Sequence, residues 1–196
     1  MFDGARMIAG LSEPMERGHQ ERLAPMAAQV MAGAGVGFAA LGRIAVTNGP
    51  GSFTGLRVGL AFAKGLRLAT DAPLVAIGAL AALAASAGPS GRCAGVIDAR
   101  RGMVYLQAFE DGRPLCEAEL LAASDAARRL AGLAPGRWRA AGPGAGLLAG
   151  DVEALELTAP SLPALGALAA RTPFTGDVRP VYLRAPDAAP QKSPRP

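Results

Sequence analysis

The chain has 196 residues, 51% of them hydrophobic but only 5% aromatic, and 20 basic residues against 16 acidic ones leave a net charge of +4. That length accommodates one sizeable core or two small lobes, filled by Ala, Leu, Val and Ile. A single histidine, His19, excludes a His-rich metal centre, and two distant cysteines, Cys93 and Cys116, exclude a disulfide framework or a cysteine-based zinc site.

In chain order, Met1-Phe2-Asp3-Gly4 has neither a basic region nor an apolar run, so no signal peptide is expected. Asp3-Gly4 is a tight-turn signal, and Ala5–Leu11 reads as a short strand. Leu23, Met26, Val30 and Met31 have helical spacing within residues 18–32, with Pro25 expected to kink that helix or to sit near its start. Leu41–Thr47 reads as a buried strand and Asn48–Gly55 as a loop, followed by a helix over Leu56–Ala69. Leu74–Ile77 is a further strand and Ala79–Ala87 an Ala/Leu helix. Gly88-Pro89-Ser90-Gly91 reads as a linker between lobes.

The second half opens with three strand-like runs, Cys93–Asp98, Met103–Phe109 and Pro114–Leu120, predicted to form an antiparallel meander. Both cysteines fall in these runs, where buried inert thiols are expected. A helix over Ser124–Leu130 is expected to be capped by Ser124, Ala140–Gly146 reads as a small-residue loop, and Leu162–Arg171 as a last helix. Pro180–Leu183 is a brief extended piece, and the Pro-rich tail 185–196 is expected to be disordered. The domains expected are therefore an N-terminal lobe over 1–88, a C-terminal lobe over 89–184, and the tail. Gly78–Gly88 is far shorter than the ~20 apolar residues that span a bilayer, so a cytoplasmic protein without membrane contact is expected. The arginine pairs Arg100–Arg101, Arg128–Arg129 and Arg137/Arg139 are scattered, without interleaved aromatics, and read as solvated surface.

The loop Gly49-Pro50-Gly51-Ser52-Phe53-Thr54-Gly55 runs from a strand into a helix that continues Leu56-Arg57-Val58-Gly59. Unpaired amides and the helix dipole at such a corner attract anions. A phosphate-binding P-loop needs a lysine after Gly55, and Lys64 lies more than two turns on. A dinucleotide fingerprint needs its third glycine one position earlier. A nucleophile elbow needs glycines where Pro50 and Thr54 stand. The other reading is a structural turn feeding a packed helix, with Ser52 or Thr54 as cap. In that helix Gly59, Ala61, Ala63 and Gly65 suit close approach by another helix, while Val58, Phe62 and Ala69 fall on one face.

Gly49-Pro50-Gly51-Ser52-Phe53-Thr54-Gly55-Leu56-Arg57-Val58-Gly59 resembles the signature of the TsaB (YeaZ) family. Gly18–Met26 resembles that family's first helix start, Ile97–Tyr105 its "IDAR-x-G-x-VY" hairpin, and Pro180–Arg184 its "P-x-YLR" ending, so the resemblance spans about residues 3 to 184. It implies an α/β, actin-like/Hsp70-like ATPase (RNase-H-like) fold in two lobes, with the family's first strand and its acidic residue missing ahead of Asp3. It further implies a non-catalytic dimerisation subunit that pairs with a TsaD-like catalytic subunit and a TsaE-like ATPase. That assembly modifies N6 of the tRNA adenosine just 3′ of the anticodon with a threonylcarbamoyl group.

On this resemblance no catalytic residue, metal or cofactor is expected in this chain, ATP and metal being carried by partner subunits. The partner contact falls on His19, Leu23, Met26 and Val30 of the first helix and on Val58 and Phe62 of the second. The loop residues Gly49 to Gly55 and Arg57 would meet either an anion or the partner. A homodimer is the other pairing, and tRNA is met only indirectly. The peptidase label sometimes given to the family finds neither zinc ligands nor a triad here. The alternative is a small-molecule kinase or hydrolase of the actin-like superfamily, using the loop for phosphate.

Overall fold

The computed structural model describes residues 1–15, 18–155, 157–174 and 176–184. The expected disordered tail, 185–196, lies outside the described residues. Two short strands, β1 (Phe2–Asp3) and β2 (Arg6–Met7), form a hairpin around Gly4, so only two residues of the expected strand Ala5–Leu11 are paired. Helix α1 (His19–Gly33) runs through Pro25 and is tethered near its start by an ion pair between Arg22 and Glu13. Strand β3 (Ile44–Thr47) lies parallel to β4 (Leu74–Ile77), joined by helix α2 (Phe53–Thr70). Leu60 and Ala63 of α2, Ile44, Ala72, Leu74 and the distant Val178 close this first core.

The other edge of β3 pairs with no strand among the described residues. Two apolar cavities lie against it, of about 560 Å³ and 390 Å³, bounded by α1, α2, the hairpin and α5 (Leu162–Arg171). Arg43, just ahead of β3, donates from Nη1 to the carbonyls of Ala169 and Thr172 and so holds the C-terminal end of α5 at this edge.

The second sheet holds β5 (Arg92–Asp98), β6 (Met103–Glu110), β7 (Arg113–Pro114), β8 (Glu119–Ala122), β9 (Trp138–Ala141) and β10 (Val152–Leu155). β5, β6 and β8 are the antiparallel meander, and β9 and β10 extend the sheet parallel to β5 on its other side. Helix α4 (Ala123–Leu133) covers one face through Ala126 and Leu130, against Val96, Val104, Leu106 and Trp138. The other face takes α3 (Ala79–Ser86), whose Leu80, Ala82, Leu83 and Ala84 are all buried. A helix apolar on every side must be enclosed, and here Gly95 permits it. A Cβ at Gly95 would overlap the backbone of Leu80, so at this point α3 and β5 meet with no side chain from the strand between them. α3 also packs on α5, so contacts cross the Gly88–Gly91 segment in both directions.

Four local expectations give way to tertiary context. The run Pro114–Leu120 divides between β7 and β8: Leu115 N–H still donates to Ala108 O, but the Ala108 N–H turns to Cys116 Sγ at 3.4 Å and the backbone ladder lapses there. Cys116 therefore lies between strands, half-buried, while Cys93 is buried in β5 as expected. Of the expected loop Ala140–Gly146, Ala140 and Ala141 instead end the strand β9, Ala141 packing beside Ala84 of α3 and Ala140 in the core beneath α4. Helix α4 begins one residue before Ser124, at Ala123, without a side-chain cap.

Candidate functional site at the glycine-loop corner

The loop leaves the C-terminal ends of two parallel strands. Asn48 N–H donates to Ile77 O at 3.0 Å, and Gly49 O accepts from Ala79 N–H at 2.7 Å, which pins the loop to the β4–α3 junction. Gly49 and Pro50 are buried, whereas a Cβ at Gly51 would meet nothing. Ser52 Oγ accepts from Gly55 N–H at 3.4 Å, so the serine caps α2 and the helix starts at Phe53, three residues earlier than its apolar pattern suggests.

The C-terminal segment then returns along α2 in the opposite direction. The Arg67 guanidinium sits 5.5 Å over the Phe174 ring, and Lys64 Nζ reaches Asp177 Oδ1 at 3.3 Å. Arg179 Nε donates to Asp177 Oδ2 at 2.8 Å, and these two cations, Arg179 first, hold the Asp177 carboxyl below its ordinary range. Asn48 Nδ2 donates to Arg179 O at 3.1 Å, while Val181 N–H donates to Asn48 O at 2.7 Å. Tyr182 stacks on Phe53 with ring centroids 4.6 Å apart, and Arg57 Nε lies 3.4 Å from its hydroxyl oxygen. Finally Leu183 packs with Leu80, Ala99 and Tyr105, and Arg184 Nη1 donates to Ala99 O at 2.7 Å.

Residues 176–184 thus form a strap that joins three motifs far apart in sequence. Its closest point is Gly49, at φ 113°, where a Cβ would stand 2.7 Å from Val181 O. The third motif contributes the β5–β6 turn, in which Arg100, Arg101 and Gly102 all have positive φ. Asp98 Oδ1 accepts from Arg100 N–H at 2.7 Å and stabilises that turn.

The helix residues singled out from the sequence divide between two surroundings. Leu23 and Phe62 line the smaller cavity beside β3, and Val30 the larger. Met26 and Val58 are half-buried, and His19 opens α1. The small residues of α2 divide as well. Gly59 and Ala63 turn inward, where a Cβ at Gly59 would meet Val46 Cγ2 at 3.8 Å, whereas Ala61 and Gly65 are exposed and lead to Leu68, 84% exposed. Among the described residues no three His, Cys, Asp or Glu side chains gather as a cation would need, and no helix is long and apolar enough to cross a membrane. Burial pushes the Cys93 thiol up to about 11.

Sequence reasoning did not single out Asn48, Tyr182 and Arg184 as site residues. The only available signal was that one of the chain's two tyrosines sits in a short motif remote from the loop it serves.

A meander with two parallel strands added beside its first strand is RNase-H-like, and a strand–loop–helix corner bound by a returning C-terminal strap accompanies it here; together they define an α/β protein of the actin-like ATPase group. The model of the family described as "TsaD: tRNA N6-adenosine threonylcarbamoyltransferase" matches residues 13–160. The "tRNA threonylcarbamoyladenosine biosynthesis protein TsaB" of Haemophilus influenzae is 38% identical over 98 residues, 48% of this chain and 42% of that protein. The protein of the same name from Escherichia coli is 33% identical over 97 residues, again 48% and 42%. The match thus spans less than half the length of these curated relatives. The solved structure titled "YeaZ from Pseudomonas aeruginosa" superposes with a TM-score of 0.73 at 30% identity, covering 87% of each chain. The chain belongs to the TsaB (YeaZ) family.

Proposed function

We propose that this chain is a scaffold subunit of tRNA threonylcarbamoyladenosine biosynthesis. In this reading it docks a TsaD-like catalytic subunit through α1 and α2, works with a TsaE-like ATPase, and does no chemistry alone. The observation that carries it is the outer face of α2, where Ala61 and Gly65 are exposed beside half-buried Val58 and end on Leu68, 84% exposed. Small residues let a second helix approach closely, and an exposed leucine at the rim supplies apolar area to bury. The names of the relatives point to the pathway, and the family model points to the kind of subunit that would meet this face. A second copy of the chain could use the same face where the partner is lacking.

Co-purification of the tagged chain with the TsaD-like protein of the same genome tests the reading. Val58→Asp should abolish pairing, because a charge buried without a partner at an interface costs several kcal/mol. Retained pairing by a folded Val58→Asp chain would refute it.

A further inference from the structure

The sequence places no arginine stripe beside aromatic residues, yet the strap assembles one in space. Three segments meet at the corner, residues 48–57, 98–102 and 177–184. They carry Arg57, Arg100, Arg101, Arg179 and Arg184 against two carboxylates, Asp98 and Asp177. Both carboxylates have local duties, Asp98 in the turn and Asp177 between Lys64 and Arg179. At the centre stands Tyr182, 40% exposed, with one face on Phe53 and its hydroxyl beside Arg57. Arg57 pairs with no carboxylate among the described residues, whereas Arg100, its side chain 86% exposed, lies 3.5 Å from Asp98 Oδ2.

An aromatic ring backed by a second ring, with the Arg57 guanidinium beside its hydroxyl and further arginines along the same strap and the turn it reaches, suits a stacked base followed by backbone phosphates. A purely acidic protein surface would use the arginines and leave the ring without a role. We propose that this face binds single-stranded RNA, with Tyr182 as the stacking platform and Arg57, Arg184 and the Arg100–Arg101 turn against phosphates. The proposal rests on the preceding reading only for which RNA is met in the cell, where an exposed tRNA loop fits. The binding itself belongs to the isolated chain.

Fluorescence anisotropy of the full chain with a labelled single-stranded oligoribonucleotide of about 12 nucleotides, and with an RNA duplex of the same length, tests it. The single strand should bind more tightly. Arg57→Glu should weaken it about tenfold or more and lower the log–log salt slope by about one. Tyr182→Leu should weaken it at least about fivefold, while Tyr182→Phe, which keeps the ring, should bind as wild type. Arg128→Glu on α4 makes the same charge change away from the face and should alter affinity less than twofold.

Equal losses from Arg57→Glu and Arg128→Glu would overturn the assignment, as would tighter duplex binding or an unaffected folded Tyr182→Leu. If Tyr182→Leu loosens the strap, as shown by a lowered melting temperature, Arg57→Glu against Arg128→Glu decides alone. Loss of pairing with the TsaD-like subunit and loss of RNA binding are separate readouts, so either reading can fail without the other.

Discussion

Replacing Gly49 by alanine probes the contact on which the whole corner depends. At φ 113° a side-chain-bearing residue is strained by about 1–3 kcal/mol. Its Cβ would also stand 2.7 Å from Val181 O and 3.2 Å from Leu56 Cδ1. Leu56 can adjust by a few tenths of an ångström. The Val181 carbonyl is backbone, and moving it pulls away the Val181 N–H bond to Asn48 O, worth about 1 kcal/mol net. The combined loss is about 2–4 kcal/mol, which for a chain of this size lowers the melting temperature by about 5–15 °C. Gly51→Ala, two residues on in the same loop and facing open space, should stay within about 0.5 kcal/mol of wild type. Thermal unfolding followed by circular dichroism measures both, and faster tryptic cleavage after Arg184 reports release of the strap. A Gly49→Ala chain melting within about 1 °C of wild type, with unchanged cleavage, would refute the claim that strap and loop are locked together.

Three further outcomes are expected. Gly95→Ala should cost about 3 kcal/mol or more and reduce the yield of soluble chain, since α3 cannot back away from β5 without opening its enclosed leucines; an unchanged melting temperature would sink that packing account. A designed apolar strand of four or five residues joined ahead of Met1 should settle against the free edge of β3 and fill its flanking cavities. Even about 1 kcal/mol of net gain lifts the midpoint by about 2–4 °C, and no rise would mean that the open edge is of no consequence. The Arg129 hydrogen bond holds the Glu119 carboxyl below its ordinary 4.5, so its contribution to stability is full above that value and fades as pH falls through the lowered one. Denaturant midpoints of Glu119→Gln and wild type should therefore converge as the pH falls below 4.5 and through the lowered value; a constant difference would count against the link.

The first core followed closely from local pattern. Helix α1 and the β3–loop–α2–β4 order were legible because apolar spacing, glycine punctuation and the Ser52 cap act within a few residues of one another. So was α5, whose predicted bounds agree with the structure residue for residue. The second sheet was legible only as far as its meander. Strand β9 escaped notice because Trp138-Arg139-Ala140-Ala141 carries little β-propensity; its burial between β5 and β10, beneath α3, makes it a strand. Nor could periodicity place α3 on the second sheet, a choice made by the missing Cβ of Gly95 together with the four buried α3 residues.

The functional reading divides along the same line. The chain alone determined its family, through motifs whose residues are contiguous, and it ruled out a P-loop by the position of one lysine. Tertiary structure decided that three of those motifs form one place. Tyr182 lies 129 positions from Phe53 in sequence and 4.6 Å from it in space. A loop and a distant strap can meet only when the packing between them, here Val178 in the first core and Leu183 against Ala99, fixes the path of the chain. Sequence spacing encodes what neighbours along the backbone do. The pairing of remote segments is set by the volume and hydrogen bonds of the whole interior.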